Sequence, residues 1–322
     1  MSLIAMASAL VATIANPVPE APAPPATAPP ATDLPAIVRE PTLSEIIAFE
    51  TERYRRMTVP VTISGKGPFR FLVDTGAEAT VVARTVADQL ELFDRRTVTL
   101  IAMASRRQVE TTPLPTITLG SREFDLSAAA ILEAEHIGDA DGILGLDSLQ
   151  DQRVLFDFEH SHIAVAHADE LGGDRGFDIV VRARRKHGQL IVQRARIDGV
   201  DVDVVIDTGA QSSFGNIALQ NRLRRARALD KSEMTDVNGV TITGNTRLAR
   251  MLQLERAAIN NIVIAFTDSP TFAALGLNSR PAMVLGMREL RLFKRVAIDF
   301  ESRRVLFDMP DGARISDRSL FP

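Results

Sequence analysis

The tetrapeptide Asp-Thr-Gly-Ala occurs twice in this chain, at residues 74–77 and 207–210, and its surroundings recur with it. Phe69 to Val82 reads FRFLVDTGAEATVV and Asp201 to Gly215 reads DVDVVIDTGAQSSFG. Both are alternating, β-branched-rich runs that lead into the tetrapeptide, the pattern of a strand ending in a turn. Further on, each half has an apolar pair before a glycine, Ile143-Leu144-Gly145 and Val284-Leu285-Gly286. A second apolar run follows, Val154 to Phe158 around Asp157 in one half and Val296 to Phe300 around Asp299 in the other. Asp74 and Asp207 lie 133 residues apart, Gly145 and Gly286 lie 141 apart, and Asp157 and Asp299 lie 142 apart. Three markers in one order at nearly constant spacing identify a duplication, so the chain is expected to fold as two copies of one unit.

The division expected from this spacing is a first lobe over residues 40–171 and a second over 172–322, meeting at Gly172-Gly173. Ahead of them, residues 1–15 contain an uncharged apolar run, Leu3 to Ala15, too short to span a bilayer and of the length of a secretory signal's apolar region. Export to a periplasmic or extracellular space is the expectation, although no Lys or Arg precedes the run. Residues 16–39 are rich in Pro and Ala and read as an extended tether. Within each lobe the pattern is mainly β. Thr58 to Ser64 precedes a turn at Gly65-Lys66-Gly67-Pro68, and Leu190 to Ile197 precedes a turn at Asp198-Gly199. Thr97 to Met103, Pro115 to Leu119, Val240 to Thr243 and Ala258 to Phe266 read as further strands. Helix signals are few: an Arg-rich stretch from Asn216 to Leu229, and a capping-box pattern at Thr42 to Glu45.

Composition narrows the chemistry. Of 322 residues none is cysteine, which excludes disulfides, thiolate nucleophiles and cysteine-ligated metal sites. A formal net charge of −4 argues against nucleic acid as the main partner. The two aspartates fill the gap that the missing thiols leave. A strand end presents a carboxylate, and the glycine two residues on lets the chain turn with a backbone N–H aimed at it. One Asp-Thr-Gly arises by chance in roughly 5–10% of chains this long, but two in matched surroundings do not. Facing loops would bring two carboxylates together; such a pair shares one proton, the charged member acting as base toward water and the protonated member polarising a carbonyl.

At these residues the chain resembles the aspartic peptidases, specifically the retropepsin-like group. The resemblance rests on Asp74-Thr75-Gly76-Ala77, Asp207-Thr208-Gly209-Ala210 and the two apolar-apolar-Gly segments, and it covers about residues 57–310. It implies an acid-protease fold: two homologous β-barrel lobes in one chain. It implies a catalytic dyad of Asp74 and Asp207, supported by Thr75, Gly76, Thr208 and Gly209, with no cofactor or metal. The implied activity is endopeptidase cleavage of a polypeptide substrate, by a chain active as a monomer because both halves of the site are present. A bilobal peptide-binding or assembly module without turnover is the alternative.

Two features depart from the family pattern. The single Tyr, Tyr54, lies before the first aspartate and cannot serve as a pepsin-type flap tyrosine. Retropepsin-like flaps are glycine-rich instead; Asn238-Gly239 in the second half is a tight-turn signal and a candidate flap, whereas Leu100 to Glu110 contains no glycine. An altered or replaced first flap is therefore expected. Residues 37–57, with Arg53, Arg55 and Arg56, read either as a first strand or as a removable pro-segment.

Other residues have plainer readings. Asp157 and Asp299 read as strand or turn positions. His160, His162 and His167 lack the partners that would complete a metal site. Arg222, Arg224, Arg225 and Arg227 read as a solvated helix face.

Overall fold

A computed structural model describes residues 58–120, 122–138 and 140–311, together with the backbone of residues 2–4. The remainder of the apolar segment, the tether, the capping-box pattern, Tyr54 and residues 37–57 lie outside the described residues. At 53% strand and 12% helix the chain is mainly β.

Each half closes a ring of six strands. In the first, Thr58–Ile63, Lys66–Val73, Gly142–Leu144, Val81–Ala83, Arg122–Leu132 and Arg106–Leu119 follow one another, the last pairing back onto the first. The second repeats the order with Gln189–Ile197, Val200–Ile206, Ala282–Leu285, Phe214–Gly215, Ala257–Phe266 and Thr241–Leu254. The strand that carries each aspartate pairs in parallel with the apolar-apolar-Gly strand, Val73 against Leu144 and Ile206 against Leu285. Alternation decides which faces are filled. In Lys66–Val73 the buried residues are Phe69, Phe71 and Val73, while Arg70 between them is exposed. Val200–Ile206 is buried on both faces because Val202, Val204 and Ile206 enter the main core and Val205 a second apolar cluster.

A five-stranded sheet joins the halves, in the order His162–Ala166, Arg153–Asp157, Arg295–Asp299, Arg304–Asp308, Ile179–Arg182. Its centre pairs the two duplicated strands with each other: Arg153 stands opposite Asp299, Leu155 opposite Ala297 and Asp157 opposite Arg295. Arg153 is buried, and its guanidinium reaches Asp299 Oδ2 at 2.6 Å and Asp174 Oδ1 at 2.9 Å. Asp299 is thus a strand-end residue with an ion-pairing task that its surroundings in the sequence do not advertise.

Two local expectations are corrected. The turn before the first aspartate strand is Ser64-Gly65, both in the left-handed region at φ 50° and 73°, and the strand already begins at Lys66. The Arg-rich stretch is not one helix. It forms Ile217–Arg222, capped by Asn216 accepting from Leu219 N–H, and then turns into the strand Arg227–Thr235. Arg222, Arg224, Arg225 and Arg227 therefore share no helix face; the alternation of the ensuing strand against Thr241–Leu254 overrides helix propensity. The glycine-free segment of the first half is a complete hairpin, Arg96–Ile101 and Arg106–Leu119, closed by Ala102 N–H donating to Ser105 O at 2.8 Å. No residue from Ala102 to Ser105 has positive φ, so the turn needs no glycine.

Candidate active site

Both Asp-Thr-Gly-Ala loops leave their strands at the same place and meet face to face. Asp74 N–H donates to Leu144 O at 3.0 Å and Asp207 N–H to Leu285 O at 3.1 Å, so each aspartate is anchored to its own apolar-apolar-Gly strand. Oδ1 of Asp74 accepts from Gly76 N–H at 2.8 Å and Ala77 N–H at 3.0 Å. Oδ1 of Asp207 accepts from Gly209 N–H and Ala210 N–H at the same two distances. One oxygen of each carboxylate is thereby fixed by its own loop.

The threonines lock the loops across the interface. Thr208 Oγ1 donates to Val73 O at 2.8 Å and accepts from Thr75 N–H at 3.1 Å. Thr75 Oγ1 donates to Ile206 O at 3.1 Å and accepts from Thr208 N–H at 3.1 Å. Each hydroxyl satisfies one carbonyl of the opposite half and one N–H of the opposite threonine. A Thr208→Val variant keeps the volume and strands Val73 O and Thr75 N–H in a buried site. Denaturant unfolding is expected to show a loss of about 2 kcal/mol, and a loss within 0.5 kcal/mol would mean that the lock contributes nothing.

The glycines set how close the carboxylates come. A Cβ on Gly76 would overlap the Asp207 carboxyl, and one on Gly209 would overlap the Asp74 carboxyl. Each carboxylate therefore lies directly over the other half's glycine, an approach that only hydrogen at Cα allows. Asp74 is 1% exposed and Asp207 fully buried. Burial, and then the charge and hydrogen bonding of Asp74, push the Asp207 carboxyl well above its ordinary range, against the two backbone N–H donors that favour its charged form. The two carboxyls lie close enough to titrate as a pair. Gln189, from the second half, steadies the first loop by donating from Nε2 to Gly76 O at 2.7 Å.

Beneath the loops sits a second matched pair that the sequence reading missed. Thr80 Oγ1 donates to Asp147 Oδ1 at 2.6 Å and accepts from Gly145 N–H at 3.1 Å. Ser213 Oγ donates to Glu289 and accepts from Gly286 N–H at 3.1 Å. Burial raises the carboxyl pKa of both Asp147 and Glu289. Thr80 and Ser213 lie 133 residues apart and Asp147 and Glu289 lie 142 apart, so continuing the duplication residue by residue would have found them. Gly145 and Gly286 are packing glycines: a Cβ at either would strike backbone, of Ala79 and Thr80 in one half and of Ala210 and Ser212 in the other.

Asn238 and Gly239 sit at the tip of the second hairpin, between Arg227–Thr235 and Thr241–Leu254. Gly239 is left-handed at φ 74°, and its N–H donates to Asp236 O at 2.9 Å. The two hairpin tips touch: Asp236 Oδ2 accepts from Ala104 N–H at 3.1 Å and Ser105 Oγ at 2.6 Å, and Arg107 Nη1 donates to Asn238 O at 2.9 Å. His160 is engaged with Asp157, its Nδ1 3.0 Å from Oδ2. Among the described residues no three His, Asp or Glu side chains are grouped to hold a metal ion, and no helix is long and apolar enough to cross a membrane.

Comparison with known families finds one aspartyl-protease match in each half. Residues 59–151 match the family described as "gag-polyprotein putative aspartyl protease", and residues 193–288 match the family described as "Aspartyl protease". Each match contains one Asp-Thr-Gly-Ala loop and ends just beyond one apolar-apolar-Gly segment. No curated protein matches the chain.

Proposed function

From a chain that carries two aspartyl-protease domains in tandem, in a retropepsin-like two-lobed arrangement, we propose a single-chain aspartic endopeptidase whose dyad is Asp74 and Asp207. The observation that carries this reading is the placement of each carboxylate over the other half's glycine. In this reading each proposed lobe, 40–171 and 172–322, contributes one carboxyl, and one copy of the chain suffices for activity.

The steps follow from the proton inventory. Asp207 begins protonated and Asp74 ionised. Asp74 takes a proton from a water molecule as the water oxygen attacks the peptide carbonyl carbon, while Asp207 gives its proton to the carbonyl oxygen. The product is a neutral tetrahedral diol, with the charge now on Asp207. Asp74 then passes its proton to the amide nitrogen, the C–N bond breaks, and Asp207 recovers a proton from a diol hydroxyl as the carboxyl product forms. Atoms and protons balance, and no metal or organic cofactor takes part. Thr75 and Thr208 hold the loops in register and touch no reacting atom.

Incubation with a diverse peptide library between about pH 4 and 7 tests the reading, since an apparent dyad pKa can lie anywhere in that span. Cleavage that needs both aspartates supports the peptidase; binding without cleavage by the unaltered chain favours the silent module. The pH profile adds a second test. Because the pKa of Asp207 is raised, kcat/KM holds while Asp207 keeps its proton and falls as the pH climbs past that raised value. Activity that keeps rising through neutrality to pH 9 would contradict the assigned roles.

A further inference from the structure

The two halves share a fold but not a charge. Over residues 58–171 Asp and Glu outnumber Lys and Arg by 18 to 9, whereas over residues 172–311 Lys and Arg lead by 22 to 16. The excess is sharpest at one corner. Arg222, Arg224, Arg225 and Arg227, where the helix Ile217–Arg222 gives way to the strand Arg227–Thr235, are all exposed, and none makes an ion pair among the described residues. Arg247 fixes the backbone of that corner, donating from Nη1 to Leu223 O at 3.0 Å and to Arg224 O at 3.1 Å. The fold does not call for this charge. The helix Arg84–Gln89 lies 133 residues earlier, and the positions there that correspond to the four arginines hold Gln89, Glu91, Leu92 and Asp94. Four guanidinium groups held side by side repel one another, a cost that an anionic partner removes.

The strand that leaves this corner is the last of its sheet. Arg227–Thr235 pairs with Thr241–Leu254 on one side, and no strand pairs with its outer side among the described residues. Its counterpart in the first half, Arg96–Ile101, has a neighbour on that outer side: Ser2–Ile4 runs parallel to it, Ser2 opposite Thr99 and Ile4 opposite Ile101. The same edge thus takes an extended segment of chain in one half and is open in the other. An open edge offers its unpaired N–H and C=O groups to an added strand. Pairing with Thr241–Leu254 is regular from Ser232 to Thr235, which makes that stretch the one fit to be extended; it begins about 17 Å along the strand from Arg227. Arginine at all four positions suits carboxylates, which the planar guanidinium meets with two parallel bonds. Only a polypeptide brings both carboxylates and a strand to add.

We propose that the outer edge of Arg227–Thr235, with the four arginines at its start, is a docking site for an acidic, extended segment of the polypeptide substrate, separate from the dyad. Paired as Ser2–Ile4 is, the segment runs parallel to the strand, so its carboxylates precede the residues that lie along Ser232–Thr235. The inference rests on the peptidase reading for calling the occupant a substrate, but not for the site itself.

Fluorescence anisotropy with the full chain tests it. The probe is a labelled peptide of alternating glutamate and glycine followed by Thr-Val-Thr-Val. The double variant Arg224→Glu with Arg227→Asp gives the second half the residues that the first carries at the corresponding positions, so the fold should tolerate it. Its Kd for the probe is expected to rise about tenfold or more, and the loss of binding with added salt should become shallower. N-methylation of the Thr-Val run, or placing that run ahead of the glutamates, should weaken binding several-fold. In hydrolysis, the double variant should match the parent on a short neutral peptide and lose about tenfold in kcat/KM on the same peptide carrying the acidic segment. Equal binding of the probe by the double variant, or indifference to N-methylation, would overturn the site. So would binding of phosphatidylserine vesicles or a single-stranded oligonucleotide by a chain that ignores the probe. A chain that binds the probe as described but hydrolyses nothing would remove the peptidase reading and leave the site; one that cleaves the short peptide and ignores the probe would do the reverse.

Discussion

Asp207→Asn is expected to lower kcat/KM for peptide cleavage by a factor on the order of 10³–10⁴, and Asp74→Asn by a similar factor. The amide can do neither half of the proton traffic: it cannot take a proton from water at position 74 or give one up at position 207. The fold should be untouched, because the oxygen that accepts the two loop N–H groups survives in Asn. Stability supplies an independent readout with a definite sign. A carboxyl whose folded pKa is raised stabilises the fold below its unfolded pKa, and that contribution is lost as the pH rises through the folded value. Asp207→Asn has no such proton to lose, so its denaturation midpoint should match the parent in acid and exceed it toward neutral pH. Undiminished hydrolysis by either variant would remove the dyad assignment; lost hydrolysis with a lowered midpoint at every pH would point to damage rather than chemistry.

The largest effect on stability is expected away from the dyad. Asp299→Ala leaves the Arg153 guanidinium inside the sheet that joins the halves, with only the part-exposed Asp174 and the Gly173 carbonyl for company. Removing one partner of a buried pair costs about 3–5 kcal/mol, because the remaining charge is stranded. Burial tends to raise the Asp299 pKa, but the Ser302 N–H and Arg153 outweigh it, and the net shift is downward. The contribution of Asp299 is therefore present at neutral pH and lost as the pH falls through its lowered value, opposite in sign to that of Asp207. Denaturant unfolding of Asp299→Ala and of the double variant Asp299→Leu with Arg153→Met separates stranding from packing: the double variant should recover most of the loss. A single-variant loss below about 1 kcal/mol would mean that Asp174 and Gly173 satisfy Arg153 by themselves.

The strands and the two loops were legible because they depend on local pattern: alternating β-branched residues, a glycine that must accept a close approach, and a spacing that repeats. Asp198 and Gly199, at φ 46° and 82°, fulfil a turn signal readable from two letters. What stayed hidden depends on partners distant in the chain. Nothing around Asp299 tells that Arg153 faces it across 146 residues. Leu100 to Glu110 read as an altered or replaced flap because it lacks glycine, and the absence of glycine did not reveal that it folds as a hairpin whose turn has no positive φ. Met103 reads as an ordinary core residue until the second half is folded around it. The Arg-rich stretch misled for a related reason: composition suggested a helix, and pairing with Thr241–Leu254 decided otherwise.

The sheet between the halves pairs equivalent residues with each other, Leu155 against Ala297, with each arginine facing the other strand's aspartate. Such a register is self-complementary, the condition for an isologous contact between two identical subunits. Two separate copies of one half could satisfy it unaided, so the covalent link is not what that interface requires. What the link permits is asymmetry. In a symmetric pair the hairpin tips would be identical, and a carboxylate at the tip of one would confront a carboxylate at the tip of the other. Fusion frees the tips to differ, so that Asp236 of one accepts from Ala104 N–H and Ser105 Oγ of the other. The two tips thus differ in role, while the loops that carry Asp74 and Asp207 keep matching hydrogen bonds.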